Sequence, residues 1–408
     1  MSTGSTRYHG HQGGDSVDIG VDLHKANAVF TGLDENGHEL LTSKIPNTLA
    51  GWEKFHETFP DGGRVVLEAT LNHMSVVDLL EGWGFEVKVA HARQVRAIAT
   101  SKAKTDKIDS GILARLLHAD FIPEAYVPPV GIRQMRELIR YRIQLGRDST
   151  QVKNRIHALL CKNWVTHDFS DVFGKAGRRF LAGLDLPVNA RGVMDGYLRQ
   201  LDAIQEEIAR VQRTLARHSM NDGDVQRLMQ ISGINFYSAY LIKSEIGDIR
   251  RFPSHRHLAS YAGLVPTVRN SGEKVRHGHI TKEGNRNLRW ILVEAVIKVK
   301  VNDPNLQKAY DSIKKRRGGQ IAQVAVARRL LRIIFYILRD KADYKYMKTS
   351  AYDVKMSRMR YLAQFRQGLS KASRDPQAHP LEPEPAGPTV EEGLNRSDPI
   401  SEDRDRFS

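Results

Sequence analysis

Alternating apolar and polar residues begin at Val17 and predict the first strand of a sheet. Every second residue from Val17 to Leu23 is apolar, which is the periodicity of a strand with one buried face. Residues 28–33 and 40–45 predict two more strands, and the Asp34-Glu-Asn-Gly37 segment between them has the composition of a turn. Residues 1–15 are rich in Gly, Ser and His and lack periodic apolar residues, so we interpret them as a flexible tail.

The next segment alternates helices with strands. The predicted elements are a helix over 49–59, a strand over 64–69, a helix over 73–83, a strand over 86–90 and a helix over 108–119. Together with the three leading strands they give the order β-β-β-α-β-α-β-α, which is that of the ribonuclease H-like (RuvC-like) fold. We therefore predict that residues 16–125 form an α/β domain in which the first and fourth strands are neighbours.

The pattern becomes helical and basic in residues 126–222. Residues 132–164 place arginines between apolar residues at helical spacing, and residues 193–218 predict a second helix. That second helix carries a seam with coiled-coil spacing, formed by Ile204, Ile208, Val211 and Leu215. The seam fits a helical hairpin that packs on itself and a dimerising coiled coil equally well.

Residues 223–347 predict a third, mainly α-helical region. The Ile231-Ser-Gly-Ile234 segment, followed by Ala239, resembles a helix-hairpin-helix, whose turn amides hold a DNA phosphate. Such turns are also common between ordinary helices. Residues 348–366 receive no assignment. Residues 367–408 are acidic and proline-rich, so we predict a disordered tail there.

Charge indicates a polyanionic partner. The chain has 408 residues and a net charge of +15, whereas residues 367–408 carry nine acidic and five basic residues, so the rest of the chain carries +19. An excess of this size favours nucleic acid binding. The single cysteine, Cys161, excludes a disulfide within one chain. No long apolar run or signal peptide is present in the sequence, so we expect a cytoplasmic protein without a membrane partner.

Four carboxylates are predicted to meet at one edge of the sheet. Asp22 ends the first strand, Glu68 ends the fourth, and Asp106 and Asp109 share one face at the start of a helix. Carboxylates this close repel one another unless cations compensate, and hard cations such as Mg²⁺ prefer oxygen ligands. Two such ions can activate an attacking oxygen and stabilise a leaving one at phosphorus. Asp18 is an alternative to Asp22, because alternate strand residues share a face.

Each acid also has an ordinary structural interpretation. Asp106 and Asp109 are favoured at a helix N-terminus by the helix dipole, and Glu68 can pair with a lysine. The prediction of a metal site therefore depends on the joint placement of all four residues.

Several motifs resemble one family of proteins. Gly20-Val-Asp-Leu-His-Lys25, Leu67-Glu-Ala69 and Lys104-Thr-Asp-Lys-Ile-Asp109 resemble the DEDD motif of insertion-sequence transposases with a RuvC-like N-terminal domain. Ser260-Tyr-Ala-Gly-Leu-Val-Pro266, Asn270-Ser-Gly272 and His279-Ile-Thr-Lys-Glu-Gly284 resemble the C-terminal serine transposase domain of that family. Both halves occur in the family's order.

The resemblance implies a specific chemistry. It favours Asp22 over Asp18, because the family's first acid is closely followed by a lysine, here Lys25. It implies that Asp22, Glu68, Asp106 and Asp109 bind two Mg²⁺ ions. It identifies Ser271 as the nucleophile that holds DNA covalently, whereas Ser260 lies in an apolar stretch typical of packing. Without the resemblance, the polar turn around Ser271 is the simpler interpretation. Thr281 departs from the family, which often has a serine there.

The resemblance also implies partners. Members move insertion sequences through a circular double-stranded intermediate. A structured non-coding RNA, the bridge RNA, pairs with donor and target DNA, and the transposase acts as a homo-oligomer, a dimer or tetramer. An association with the nucleoid follows from these partners.

Basic residues in two regions are candidates for nucleic acid contacts. The candidates are Arg133, Arg136, Arg140, Arg147, Lys153, Arg155, Arg269, Lys274, Arg276 and Lys282. Two alternative functions are a RuvC-like nuclease or junction resolvase that uses the metal site without a covalent intermediate, and a non-enzymatic nucleic-acid-binding protein. Cleavage without a protein–DNA link indicates the first, and full function after alanine substitution at Asp106 or Glu68 indicates the second.

Overall fold

A computed structural model describes residues 17–70, 72–98, 106–271 and 274–364, with side chains for all of these except 268–277. The predicted tails, 1–15 and 367–408, lie outside the described residues, as does the beginning of the motif that starts at Lys104.

The N-terminal part is built on a five-stranded mixed sheet. Its strands lie in the order β3-β2-β1-β4-β5. The bounds are β1 Asp18–Leu23, β2 Asn27–Leu33, β3 Glu39–Pro46, β4 Arg64–Glu68 and β5 Glu86–Ala90. The first three strands pair antiparallel, and β1–β4 and β4–β5 pair parallel. The predicted contact between the first and fourth strands is therefore confirmed.

Helices cover both faces of this sheet. They are α1 Leu49–Thr58, α2 His73–Gly82, α3 Ala92–Ile98 and α4 Asp106–His118. Residues such as Val21, Leu67 and Phe55 form the apolar core on one face. Val66 and Leu113 belong to a smaller core on the opposite face, where α4 packs. Helix α3 is absent from the sequence-based prediction; with only seven residues, it is too short to show a clear helical period.

Two long helices follow. They are α5 Val130–Lys162 and α7 Val188–Met220, with the short α6 Lys175–Gly183 between them. Helix α7 packs against α5 and against the later helix α14 Thr349–Gln364. Val211 and Leu215 of the predicted seam are buried within this chain, which favours the hairpin that packs on itself over a dimerising coil.

The remaining elements form the largest core of the described chain. They are α8 Gly223–Met229, α9 Phe236–Ile246, a 3₁₀ turn Ile249–Arg251, α10 His255–Tyr261, β6 Pro266–Ser271, β7 Lys274–Ile280, α11 Arg286–Asn302, α12 Pro304–Arg317, α13 Gly319–Asp340 and α14. The region is mainly helical, as predicted, but it contains the antiparallel β6–β7 hairpin. Helix α14 occupies most of the segment that received no assignment, and its Lys355 donates hydrogen bonds to two carbonyl oxygens, those of Met229 and Ile231.

The turn between α8 and α9 packs against α11. Gly233 has a φ of +84°, and a Cβ atom there would lie 2.7 Å from the Cβ atom of Lys298. Ile231 and Ile234 on either side are fully buried. A close contact within the protein thus requires glycine at position 233. Phosphate binding by this turn stays a prediction. No helix in the described part of the chain combines the length and apolar character that a membrane crossing needs.

Candidate functional site

Helix α4 lies across the centre of the sheet because Gly20 lets it approach β1. A Cβ atom at Gly20 would lie 2.2 Å from the carbonyl oxygen of Ser110 and 2.3 Å from the amide nitrogen of Ala114. The Ser110 hydroxyl contacts the Thr31 hydroxyl at 2.8 Å, and Thr31 pairs with Gly20 in the β1–β2 ladder. These contacts fix the helix along its axis and so determine where its first turn lies.

That first turn meets the carboxyl end of β1. The Nε2 atom of His24 lies 3.2 Å from Asp22 Oδ2 and 3.4 Å from Asp106 Oδ1. One ligand atom from each of these three residues lies within 4.8 Å of the others. The Asp22 side chain is 13% exposed, whereas that of Asp106 is 49% exposed. The cluster is therefore anchored in the sheet and open to solvent on the helix side.

The ionisation of Asp22 reflects these neighbours. Burial raises the pKa of Asp22, the nearby His24 lowers it, and the charges of Asp106 and Asp109 raise it again; the net pKa lies above its usual value. Both acids of α4 are thus close enough to Asp22 to disfavour its negative charge. A bound cation would relieve this repulsion.

Glu68 ends the strand beside Asp22. Val21 pairs with Leu67 in the parallel ladder between β1 and β4, and paired residues share a face of the sheet. The next positions on each strand, Asp22 and Glu68, therefore lie side by side on the face that α4 covers. The group of atoms within 4.8 Å contains Asp22 and Asp106 but not Glu68 or Asp109.

Asp18, the alternative acid on β1, belongs to an ion pair at the other end of the strand. Arg64 donates from Nε and Nη2 to its two carboxylate oxygens at 2.7 and 2.8 Å. The Nδ1 atom of His118, in the last turn of α4, lies 2.9 Å from Asp18 Oδ2. The Asp18 side chain is only 3% exposed, so these contacts give it a structural role.

His24 is a member of the cluster that sequence reasoning did not select. It stands two residues after Asp22, within the Gly20-Val-Asp-Leu-His-Lys25 motif. A neutral imidazole can serve as a metal ligand or accept a proton, so an acid followed two positions later by a histidine at a strand end was the available signal.

Ser271 is the last residue of β6, and its backbone pairs with Lys274 across the tip of the hairpin. Its side chain lies outside the described residues, as do those of Arg269, Lys274 and Arg276. Ser260, in α10, is exposed, although Ala262 and Leu264 that follow it are buried.

Three arginines predicted to contact nucleic acid also form contacts within the protein. Arg133 donates to the two carboxylate oxygens of Asp78 at 2.9 and 2.5 Å. Arg136 donates to the carbonyl oxygen of Glu245 at 3.0 Å. Arg140 forms a bidentate pair with the Glu245 carboxylate at 2.9 and 2.7 Å. These bonds engage only part of each guanidinium, and the Arg140 side chain is 51% exposed, so nucleic acid contacts by the three arginines stay a prediction.

Glu245 is the centre of a buried polar cluster that the sequence did not reveal. Its side chain is fully buried, and it accepts hydrogen bonds from Asn285 at 2.7 Å and Asn287 at 3.0 Å in addition to Arg140. Burial alone would raise the pKa of Glu245, but the hydrogen bonds from Arg140, Asn287 and Asn285 outweigh it, and the net pKa is lowered. The cluster joins α5, α9 and the start of α11.

The remaining basic candidates stay predictions. Arg147, Arg155 and Lys282 are exposed. The ammonium group of Lys153 lies 4.8 Å from the centre of the Phe173 ring, which is a structural contact that still leaves its other donors available.

A basic groove of about 850 Å³ lies at the base of the β6–β7 hairpin. Its floor is apolar, with Leu264, Ile280 and Val324 among its residues. Its cationic side chains are Lys282, Arg317, Arg328, Arg329 and Arg332, with His255 and His279 beside them. No acidic residue lines the groove within the described chain. Burial lowers the pKa of His255, and nearby arginines lower it further, as expected where positive charge is concentrated.

Two family profiles match the chain. Residues 19–164 match a DEDD-type transposase profile named for IS110, and residues 225–311 match the profile described as "Transposase IS116/IS110/IS902 family". The first contains all four predicted metal ligands, and the second contains Ser271.

Full-length relatives agree with these matches. The chain is 26% identical to a probable family 20 transposase of Pseudomonas aeruginosa over 80% of this chain and 98% of the relative. It is 24% identical to the transposase for insertion sequence element IS1111A of Coxiella burnetii, over 80% and 91%. It is 23% identical to an uncharacterised protein of insertion element IS110 of Streptomyces coelicolor, over 81% and 95%.

Proposed function

Because the chain belongs to the IS110/IS116 family of DEDD-type insertion-sequence transposases, we propose that it cuts and rejoins DNA through a phosphoserine at Ser271 with the help of Mg²⁺. The observation that carries the metal-dependent part is the contact of α4 with β1, which gathers Asp22, His24 and Asp106 within 4.8 Å. The serine part rests on the family's Ser-Gly motif at Ser271 and Gly272.

The residues at the end of β1 fit a hard divalent cation. Asp22, Glu68, Asp106 and Asp109 offer carboxylate oxygens, the ligands that Mg²⁺ prefers. The raised pKa of Asp22, caused by burial and by the two acids of α4, marks a place where added positive charge is favourable. Two Mg²⁺ ions held by these carboxylates would supply Lewis-acid stabilisation of the attacking and leaving oxygens at phosphorus.

Ser271 supplies the nucleophile. Its Oγ attacks a phosphodiester phosphorus, an Oγ–P bond forms, and the bond from phosphorus to the next nucleotide breaks. The Oγ proton passes to a general base, and the released oxygen takes up a proton from solvent and leaves as a hydroxyl group. The phosphoserine retains a phosphodiester, so a hydroxyl of another strand can displace the serine and reseal the DNA without ATP.

The basic groove gives DNA a path to the serine. Strand β6 comprises six residues, from the groove residue Pro266 to Ser271, and the distance between its ends is about 16 Å of extended chain. No described ion pair includes Arg317, Arg328, Arg329 or Arg332 of the groove, and guanidinium groups of this kind attract phosphates irrespective of base sequence. Sequence choice would then come from base pairing with a structured non-coding RNA of the element, as the family resemblance implies. A homo-oligomer would bring the metal site of one subunit to the serine of another.

The metal site is tested by strand cleavage in Mg²⁺ with RNA and DNA from the element's own flanks. We expect Asp22→Asn and Asp106→Asn each to slow cleavage by about 100-fold or more, since several kcal/mol of charge stabilisation at phosphorus is lost. Asp61→Asn is the matched control, because Asp61 is an exposed acid in the turn before β4. If Asp106→Asn cleaves as fast as Asp61→Asn, the proposed metal site is wrong.

A further inference from the structure

A second cleft, of about 580 Å³, lies between α5 and the first turns of α9 and α11. It shares no lining residue with the basic groove. Its functional side chains are Arg142, Arg147, Tyr237, Arg286, Asn287 and Trp290, and Gly146 and Thr150 leave room between them. No acidic residue lines this cleft in the part of the chain that the structure describes.

The three arginines of the cleft have no carboxylate partner among the described residues. Among the described ion pairs, none includes Arg142, Arg147 or Arg286, whereas the neighbouring Arg140 is paired with Glu245. The Arg142 guanidinium lies 5.3 Å from the centre of the Tyr237 ring, and its buried Nε atom has no hydrogen-bond partner among the described residues. Burial also lowers the pKa of Arg142. The cleft therefore concentrates positive charge that an anion would compensate.

An exposed tryptophan stands beside these arginines. Trp290 is 44% exposed, whereas Trp52 in the sheet core is 2% exposed. Trp290 follows Arg286 by four residues in α11, so both side chains lie on one face of the helix. A flat apolar ring next to guanidinium groups matches a nucleobase attached to its phosphates.

We propose that this cleft binds an unpaired nucleotide of a single-stranded nucleic acid, with its base stacked on Trp290 and its phosphates on Arg147 and Arg286. A base within a duplex is already stacked on both faces, so the cleft selects single strands. Every base has a π-face, and the binding is therefore tolerant of sequence. The inference rests on the proposed function, which supplies the nucleic acid. Single-stranded DNA and RNA share this chemistry and are separated by the test.

The test is binding of the full-length protein in EDTA, where no metal-dependent cleavage contributes. The probes are labelled oligothymidylate and oligouridylate of about ten nucleotides, within the length that one stacking groove covers, and a DNA duplex of equal length. We expect Trp290→Ala to weaken single-strand binding by about tenfold and Trp290→Phe to retain most of it. Arg147→Gln should weaken it and lower its salt dependence.

Matched controls come from exposed side chains outside the cleft. Trp164 is 92% exposed, so Trp164→Ala removes a ring that is even more accessible than that of Trp290, and Arg199→Gln removes an exposed charge on α7. The proposal is overturned if Trp290→Ala binds single strands as tightly as Trp164→Ala, or if it weakens duplex binding to the same extent. Tighter binding of oligouridylate identifies RNA as the occupant, and tighter binding of oligothymidylate identifies DNA.

The outcome is separable from that of the proposed function. If the wild-type protein shows no strand cleavage but Trp290 controls single-strand binding, the cleft stands and the proposed chemistry fails. If Asp106→Asn abolishes cleavage while Trp290→Ala binds normally, the chemistry stands and the cleft fails.

Discussion

Single residues determine how closely the functional parts approach one another. Gly20 permits the contact between β1 and α4, and the acids of the site depend on that contact. No sequence pattern predicted this role of Gly20, because a glycine in a strand has several structural explanations. The sequence pattern pointed to Asp106 and to either Asp18 or Asp22, and the family resemblance favoured Asp22. His24 was not selected, because an isolated histidine carries no periodic signal.

Replacing Gly20 by alanine should destabilise the protein. The new Cβ atom would collide with the backbone of Ser110 and Ala114, so α4 must shift, at a cost of about 1–3 kcal/mol. Chemical denaturation measures this change. Gly196→Ala in α7 is the control, because nothing lies within 4 Å of a Cβ atom there, and we expect it to be neutral or stabilising by up to about 1 kcal/mol. Equal stability of the two variants would show that α4 does not depend on this contact.

Glu245 should make stability depend on pH. Its folded pKa is lowered relative to the ordinary value of 4.5, so its contribution is complete above that value and is lost as the pH falls through the folded pKa. Glu245→Gln should lower the free energy of unfolding by about 3 kcal/mol at neutral pH. It should also remove the part of the acid-dependent loss of stability that comes from Glu245. Denaturant titrations at a series of pH values measure both effects.

The matched control for Glu245 is an exposed ion pair. Glu206 is 75% exposed and pairs with Arg210 on α7, so Glu206→Gln should cost less than about 1 kcal/mol. A Glu245→Gln protein with the unaltered pH profile of the wild type would contradict the role given to the cluster.

At the scale of elements, periodic pattern predicted most of the N-terminal part. All five strands of the sheet and the long helices α5 and α7 lie within a few residues of their predicted bounds, because each presents an apolar face of clear period. Pattern could not show which arginines of α5 face other elements. Arg133 and Arg140 interleave with apolar residues as nucleic acid contacts would, and only the fold reveals their partners, Asp78 and Glu245.

Helix α13 should supply a large share of DNA affinity. Its exposed Arg328, Arg329 and Arg332 line the groove at the base of the hairpin. Changing all three to glutamine should weaken duplex DNA binding uniformly across sequences and reduce the slope of log affinity against log salt by about 3. Fluorescence anisotropy at several salt concentrations gives this slope.

The control for this triple variant removes the same charge elsewhere. Arg199 on α7 and Arg358 and Arg360 on α14 are exposed, and none of them lines the groove. If glutamine at these three positions reduces the salt slope as much as the α13 variant does, net charge rather than the groove explains the binding.

At the scale of the whole molecule, two halves with different chemistry are joined in one chain. The N-terminal sheet gathers acids, whereas the C-terminal part carries the serine hairpin and both basic clefts. The charge of +19 outside the acidic tail is thus distributed unevenly, and its excess lies where a phosphate backbone would have to bind. The net charge predicted that the partner is a nucleic acid. The positions of the surfaces that would bind it became apparent only from the fold.

Covalent capture of DNA tests the central claim most directly. The protein would be incubated with Mg²⁺, RNA from the element's flanks and labelled donor and target DNA, and then separated on denaturing gels. We predict that label migrates with the wild-type protein, is absent from Ser271→Ala and is strongly reduced for Asp106→Asn. Label on the Ser271→Ala protein, or cleaved DNA with no label on the wild-type protein, would contradict a phosphoserine mechanism, and the second result would favour a metal-dependent nuclease.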